Sequence, residues 1–164
     1  MTAPSQLLYL LLGANLGDRA QTLAQARTQL AQQVGTLTQA SPLYETAAWG
    51  LTDQPAYLNQ VLLLETVLSP EAVLTQTQAI EQALGRVRAE RWGARVIDID
   101  LLFYNDLILN TPALTLPHPY LHLRRFTLQP LADVAPNLTH PVLKMPVWQL
   151  LEVCQDGSEV IKFS

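Results

Sequence analysis

Cysteine is all but missing from this 164-residue chain. Cys154 is the only one, so neither an intrachain disulfide nor a cysteine-rich zinc site can form. A reducing compartment is the natural setting, and a cytoplasmic protein is expected. Long apolar runs are missing too: Leu7–Leu12 is too short to span a bilayer, and its flanks lack the basic start and small-residue cleavage site of a signal peptide. Charge is sparse. Charged residues make up 15%, and ten Lys and Arg against fourteen Asp and Glu leave a net charge of −4. That balance argues against a general nucleic-acid binder, which needs surplus cations to meet a phosphate backbone. No G-x-x-x-x-G-K-S/T and no G-x-G-x-x-G occurs, which disfavours a P-loop NTPase and a Rossmann dinucleotide site. The sequon Asn137-Leu138-Thr139, without a secretory signal, is a chance match.

What the chain does have is apolar bulk. Hydrophobic residues make up 49%, enough for one core-bearing domain over 1–164. Gln6–Leu12 reads as a buried central strand stopped by Gly13. Asp18 with Gln21 resembles a capping box, opening a helix whose Leu23, Ala26, Leu30 and Val34 recur at helical spacing, with Gly35 as its left-handed stop. Gly13 and Asn15, between strand and helix, fit either a phosphate-binding turn or a plain turn using positive φ. Residues 40–56, with two prolines, Gly50 and Trp49, read as a lid-like loop.

Tyr57–Val67 alternates as a strand, with Tyr57, Asn59, Val61 and Leu63 on one face and Leu58, Leu62 and Leu64 on the other. Tyr57 beside Asn59 suits stacking on a flat heterocycle and hydrogen bonding to it. It equally suits a strand end whose carboxamide is tied to backbone. Ser69-Pro70 opens a second helix with Val73, Leu74, Ile80 and Leu84 inward, Gln78 and Glu81 near its polar C-terminal half, and Gly85 at its end. After Tyr104-Asn105-Asp106 the chain turns, and Leu107–Leu109 reads as a return strand completing a hairpin. Pro117 and Pro119 hold His118 in extended backbone, as a phosphate or metal-adjacent contact or as a turn histidine. Arg125 reads as a solvated charge, and His122 and His140 as structural. A short helix over 126–131 and a Val142–Val153 tail, read as a strand or turn leading to a final helix, complete the chain.

One stretch carries chemistry. Ile97, Ile99 and Leu101 alternate with Asp98 and Asp100, so both carboxylates share one strand face, about 6.5–7 Å apart along the strand. They could serve a solvated edge strand or hold a hard cation. Just upstream lie Arg86, Arg88, Arg91 and Arg95, and with Arg124 and Arg125 they make six of the ten basic residues. Clustered arginines beside clustered aspartates suit a polyanion held with a metal.

Arg91-Trp92-Gly93-Ala94-Arg95-Val96-Ile97-Asp98-Ile99-Asp100-Leu101-Leu102 resembles the signature of the 6-hydroxymethyl-7,8-dihydropterin pyrophosphokinase family. Gly13-Ala14-Asn15-Leu16-Gly17, Asp53-Gln54-Pro55-Ala56-Tyr57-Leu58-Asn59, Gly85-Arg86-Val87-Arg88 and Pro117-His118-Pro119 with Arg124 and Phe126 extend the resemblance over nearly the whole chain. Ala94, Ala47, Trp49 and Tyr120 depart from the residues common in that family. The resemblance implies a ferredoxin-like α+β fold, an antiparallel sheet with helices packed mainly on one face and mobile loops over the active site. It implies transfer of pyrophosphate from ATP to the hydroxymethyl oxygen of the pterin, with AMP leaving. Asp98 and Asp100 would hold two Mg²⁺ ions. Arg86 and Arg95 would contact the transferred phosphates, and Gln78, Glu81, Arg88, Arg91, Trp92, His118 and Arg124 would shape the nucleotide site. Tyr57 and Phe126 would sandwich the pterin, with Asn59 and the backbone at Thr46 and Trp49 on its polar edge and Trp92 closing over it. Neither nucleic acid nor membrane is an expected partner, and a monomer is expected. Two other readings compete: a non-catalytic module of the same fold, and a metal-dependent nuclease or phosphatase.

Overall fold

The structure is a computed structural model in which residues 4–47, 56–85 and 96–163 are described. The apolar run at the start forms β1 (Gln6–Ala14), buried without interruption from Leu8 to Ala14. A continuous rather than alternating apolar run is what a central strand covered on both faces requires. Gly17, at φ +62°, turns the chain, and Asp18 Oδ1 accepts the Gln21 amide at 3.1 Å to open α1 (Arg19–Gln33). That cap follows the sequence expectation. Gly35 does not. It lies outside the left-handed region and is required instead by close approach, because a Cβ there would sit 2.2 Å from the Glu65 carbonyl oxygen.

After β2 (Thr36–Ala40) comes β3 (Tyr44–Thr46), which pairs with β4 (Tyr57–Thr66) through Tyr44–Asn59, Glu45–Leu58 and Thr46–Tyr57. The loop expected over 40–56 is therefore corrected at its start, where three residues form ladder bonds that composition does not reveal. The rest of that lid reading, residues 48–55, lies outside the described residues. Ser69 Oγ accepts the Ala72 amide at 3.1 Å to cap α2 (Pro70–Ala83), and Gly85 at φ +101° follows its end, as expected.

The aspartate strand is β5 (Asp98–Tyr104), antiparallel to β1. Between the Leu10–Leu101 and Tyr9–Phe103 pairs, Leu102 is an extra residue on β5. The bulge lets Leu102 and Phe103 pack on the same side of the sheet. Asn105, at φ +51°, makes the expected turn, but the expected hairpin is not formed. Its Oδ1 accepts the Leu7 amide and its own amide donates to Leu7 O, both at 2.7 Å, and the chain then leaves the sheet. The return segment becomes β6 (Leu109–Asn110), paired with β7 (Thr115–Leu116) in a separate ribbon. A 3-10 turn over Leu121–Leu123 leads into α3 (Arg125–Val134), longer than expected, then α4 (Val147–Glu152) and β8 (Ile161–Lys162) on β3. Arg125 is not merely a solvated charge: its Nε donates to Asp156 O at 2.8 Å and its amide to Asp156 Oδ2 at 3.0 Å, tying α3 to the tail.

The main sheet runs β5-β1-β4-β3-β8, with β2 also on β4. On one face Leu8, Leu10 and Leu12 pack with Leu58, Leu62 and Leu64 against α1 and α2. On the other, Tyr9, Leu11, Val61 and Phe103 pack against Leu128 and Leu131 of α3 and Val147 and Leu150 of α4. The expectation of helices mainly on one face holds for the two long ones, while the two shorter helices cover the opposite face. Among the described residues no helix is long and apolar enough to cross a membrane.

Candidate active site

Strand alternation decides which side chains meet. On β4, Tyr57 and Asn59 point to the α3 face, as do Leu11 and Gly13 on β1 and Asp98 and Asp100 on β5. Register then lines them up: Asn59 lies opposite Gly13 and Gly13 opposite Asp98, while Leu11 lies opposite Asp100. The α3 side closes over this floor, and a cavity of about 500 Å³ results, lined by Gly13, Thr46, Tyr57, Asn59, Asp98, Asp100, Tyr120, Leu123, Arg124 and Phe126 among others. Six of the residues singled out from sequence for the pterin and the metal, with Arg124, thus share one chamber.

Gly13 makes room for it. A Cβ at that position would lie 2.7 Å from Asn59 Nδ2 and 4.0 Å from a Tyr57 ring carbon. Its φ is not positive, so the turn reading is corrected: the absent side chain, not backbone freedom, is what this position needs. The signal was in the sequence, since Leu11 and Gly13 are two apart on a strand and share a face.

Each wall has a distinct character. Asn59 is buried and its Nδ2 donates to Leu12 O at 3.1 Å, which fixes the carboxamide plane. Thr46 is 4% exposed, and its Oγ1 has no hydrogen-bond partner among the described residues. A buried hydroxyl left this way in a cavity wall is a group offered to a ligand. Tyr44, two residues earlier, donates its phenol to Asp133 on α3; burial first and that carboxylate second push its pKa up to about 12. The hydroxyl stays protonated and ties β3 to the helix that carries Phe126. Arg124 stacks its guanidinium over the Tyr120 ring at 5.3 Å and the Phe126 ring at 5.7 Å, placing a permanent cation at the rim.

His118 stands beside the aspartates. Its backbone amide donates to Leu102 O at 3.0 Å, and its Nδ1 accepts the Tyr120 amide at 3.2 Å, which leaves the ring proton on Nε2. Burial first and Arg124 second push its pKa down to about 4. The imidazole is therefore neutral at neutral pH, and its 4.0 Å approach to Asp100 is not an ion pair. Asp98 and Asp100 themselves are half-buried in the chamber. Among the described residues no group of three or more His, Cys, Asp and Glu forms a closed metal cage. A pair of carboxylates opening on a cavity instead fits Mg²⁺, which takes one or two carboxylates and completes its shell with water and phosphate oxygens.

Two residues expected at the nucleotide site lie on α2. Gln78 is exposed on α2, and Glu81 is 8% exposed with its Oε2 accepting the Ile99 amide at 2.7 Å. Neither lines the chamber. Arg86, Arg88, Arg91, Trp92, Arg95 and Trp49 lie outside the described residues.

Comparison with known proteins bears on this geometry. A family model described as 7,8-dihydro-6-hydroxymethylpterin-pyrophosphokinase (HPPK) matches residues 9–136. A Methylorubrum extorquens protein named 2-amino-4-hydroxy-6-hydroxymethyldihydropteridine pyrophosphokinase is 47% identical over 131 residues, covering 79% of this chain and 83% of the relative. An Aquifex aeolicus protein of the same name is 38% identical over 140 residues, covering 85% and 87%. The wild-type HPPK-DHPS crystal structure from Plasmodium falciparum with pteroate superposes at a TM-score of 0.75 and 17% identity, over 93% of this chain and 43% of that one. That likeness shows the fold, and this chain spans less than half of the solved one.

Proposed function

This chain belongs to the 7,8-dihydro-6-hydroxymethylpterin-pyrophosphokinase family, and we propose that its chamber catalyses transfer of the pyrophosphoryl group of ATP to the hydroxymethyl oxygen of 6-hydroxymethyl-7,8-dihydropterin. AMP leaves, and the product feeds folate biosynthesis. The observation that carries this reading is the single cavity joining Tyr57, Asn59, Thr46 and Phe126 to Asp98 and Asp100. Its aromatic end suits a flat pterin, with Asn59 and the Thr46 hydroxyl at the polar edge. Its acidic end suits a metal-bound triphosphate.

In the reaction the hydroxymethyl oxygen attacks the β-phosphorus, the bond to the α-phosphate oxygen breaks, and the hydroxyl proton is released. Asp98 and Asp100 would hold Mg²⁺ ions, two with ATP, and these supply charge neutralisation at the phosphates. The chain's own work is positioning. Tyr57 and Phe126 orient the ring, so that the hydroxymethyl group faces the aspartate end. Arg86 and Arg95 would steady the transferred phosphates. Gln78, Arg88, Arg91, Trp92, His118 and Arg124 would shape the nucleotide site, with Glu81 acting from behind through Ile99. Neutral His118 adds an Nε2 proton donor without adding charge. Asp100 is the nearest acceptor for the hydroxyl proton, a weak base when metal-bound. Transfer of this kind needs alignment more than covalent catalysis, which suits a site without a dedicated nucleophile. A monomeric domain over 1–164, in the cytoplasm, is part of this reading.

A coupled assay tests the reading. Mg²⁺-dependent AMP formation from ATP is expected only when hydroxymethyldihydropterin is present; ADP, or phosphate released without the pterin, would overturn it.

A further inference from the structure

The chamber faces α3, yet two of its walls are held from behind. On β3, Thr46 points into the cavity, so Glu45 points to the opposite face of the sheet, where α1 lies. There Arg19, the first residue of α1, reaches across. Its Nη1 lies 2.6 Å from Glu45 Oε2 and donates to the Ala56 carbonyl at 2.8 Å. The Phe163 ring lies over the same guanidinium at 5.5 Å. Glu45 immediately precedes Thr46, and Ala56 immediately precedes Tyr57, the pair that faces across the ends of β3 and β4. One side chain therefore fastens both strands one residue from the cavity wall.

We propose that Arg19 is a positioning residue for the pterin end of the site: it sets the separation of Thr46 and Tyr57 without touching the substrate. The inference rests on the pyrophosphokinase reading. Physically, β3 is only three residues long, and its pairing with β8 stops at Glu45, so among the described strands Thr46 is held by the β4 ladder alone. A guanidinium suits the task because the N–H groups of its Nη1 have fixed directions in a rigid plane, so one nitrogen serves the carboxylate and the carbonyl together, whereas a lysine ammonium turns freely on its stem. Its Gly17–Asp18 lead-in, with Gly17 at φ +62° and Asp18 capping the helix, fixes where the Arg19 stem begins. Both groups that Arg19 holds, Glu45 and Ala56, adjoin the pterin end of the chamber, so the two ends should respond differently to its loss.

Steady-state kinetics on the full chain, with each substrate varied in turn, test this. Arg19→Gln is expected to raise KM for hydroxymethyldihydropterin roughly tenfold or more while KM for ATP stays within about twofold, with Arg19→Lys falling between. Glu45→Gln, which leaves the Ala56 bond, should show the same split more weakly and guards against a misfolded Arg19 variant. An unchanged pterin KM in Arg19→Gln and Glu45→Gln, or equal rises for both substrates, would overturn the proposal. Wild-type protein tests the parent reading separately: no pterin-dependent AMP from it would sink the assigned reaction, whereas normal wild-type turnover with unsplit variants would sink only the role of Arg19.

Discussion

The Ile99 amide, flanked along the chain by Asp98 and Asp100, donates to the buried Glu81 carboxylate of α2 at 2.7 Å. Among the described residues β5 is an edge strand of its sheet, with β1 as its only strand partner. An edge amide needs a partner, and here a helix side chain supplies it. The strand that presents both aspartates is thus fastened from the rear, much as Arg19 fastens the opposite end of the floor.

Glu81→Ala should cost about 1–3 kcal/mol of stability, because it strands a buried amide, while Glu81→Gln keeps an acceptor and should cost less than half of that. Urea denaturation midpoints read the difference. Equal losses in the two variants would mean that packing, not the Ile99 bond, is the role of Glu81.

Gly13→Ala places a methyl group 2.7 Å from Asn59 Nδ2, in the cavity floor. Overpacking of this kind costs about 1–3 kcal/mol, so the pterin KM should rise roughly tenfold, with larger effects for Gly13→Val. The KM for ATP is the control. A pterin KM that does not move would show that the floor relaxes at no cost to the site.

Thr46→Val removes a buried hydroxyl that has no partner among the described residues. The free protein should gain about 1 kcal/mol of stability while the pterin KM rises, the trade expected of a polar group kept for a ligand. Thermal denaturation and steady-state kinetics, run on the same preparation, check the two halves. Lost stability together with unchanged KM would contradict both.

His118 gives a pH dependence whose sign can be worked out. Its folded pKa, about 4, lies below the ordinary value of 6.5. Above pH 6.5 both states are neutral and the contribution is constant. As pH falls from 6.5 towards 4, the unfolded chain takes up a proton that the folded chain refuses, and stability is lost. The metal-free protein should therefore lose on the order of 1–3 kcal/mol more than a His118→Asn variant across this window. Parallel pH–stability curves for the two would refute the assignment.

Much of this site could be read from residue order. The two-residue period put Asp98 with Asp100 and Tyr57 with Asn59, and the 3.6-residue period with its caps placed α1 and α2. Other features could not be read that way. β3 is too short to announce itself, and the return segment after Asn105 had strand-like residues but pairs with β7 instead of β5. Gln78 and Glu81 looked alike as polar helix residues, yet Gln78 is exposed and Glu81 is buried.

Periodicity, capping and composition are local, and they determined the type of each long element, the face each side chain takes, and the absence of disulfide or P-loop chemistry. Tertiary structure alone decided the partners: Asn59 beside Gly13 beside Asp98, Glu81 behind Ile99, Arg19 behind Thr46 and Tyr57. The reason is that a repeat in the chain specifies a direction for a side chain, while what it meets there depends on register and packing between segments dozens of residues apart.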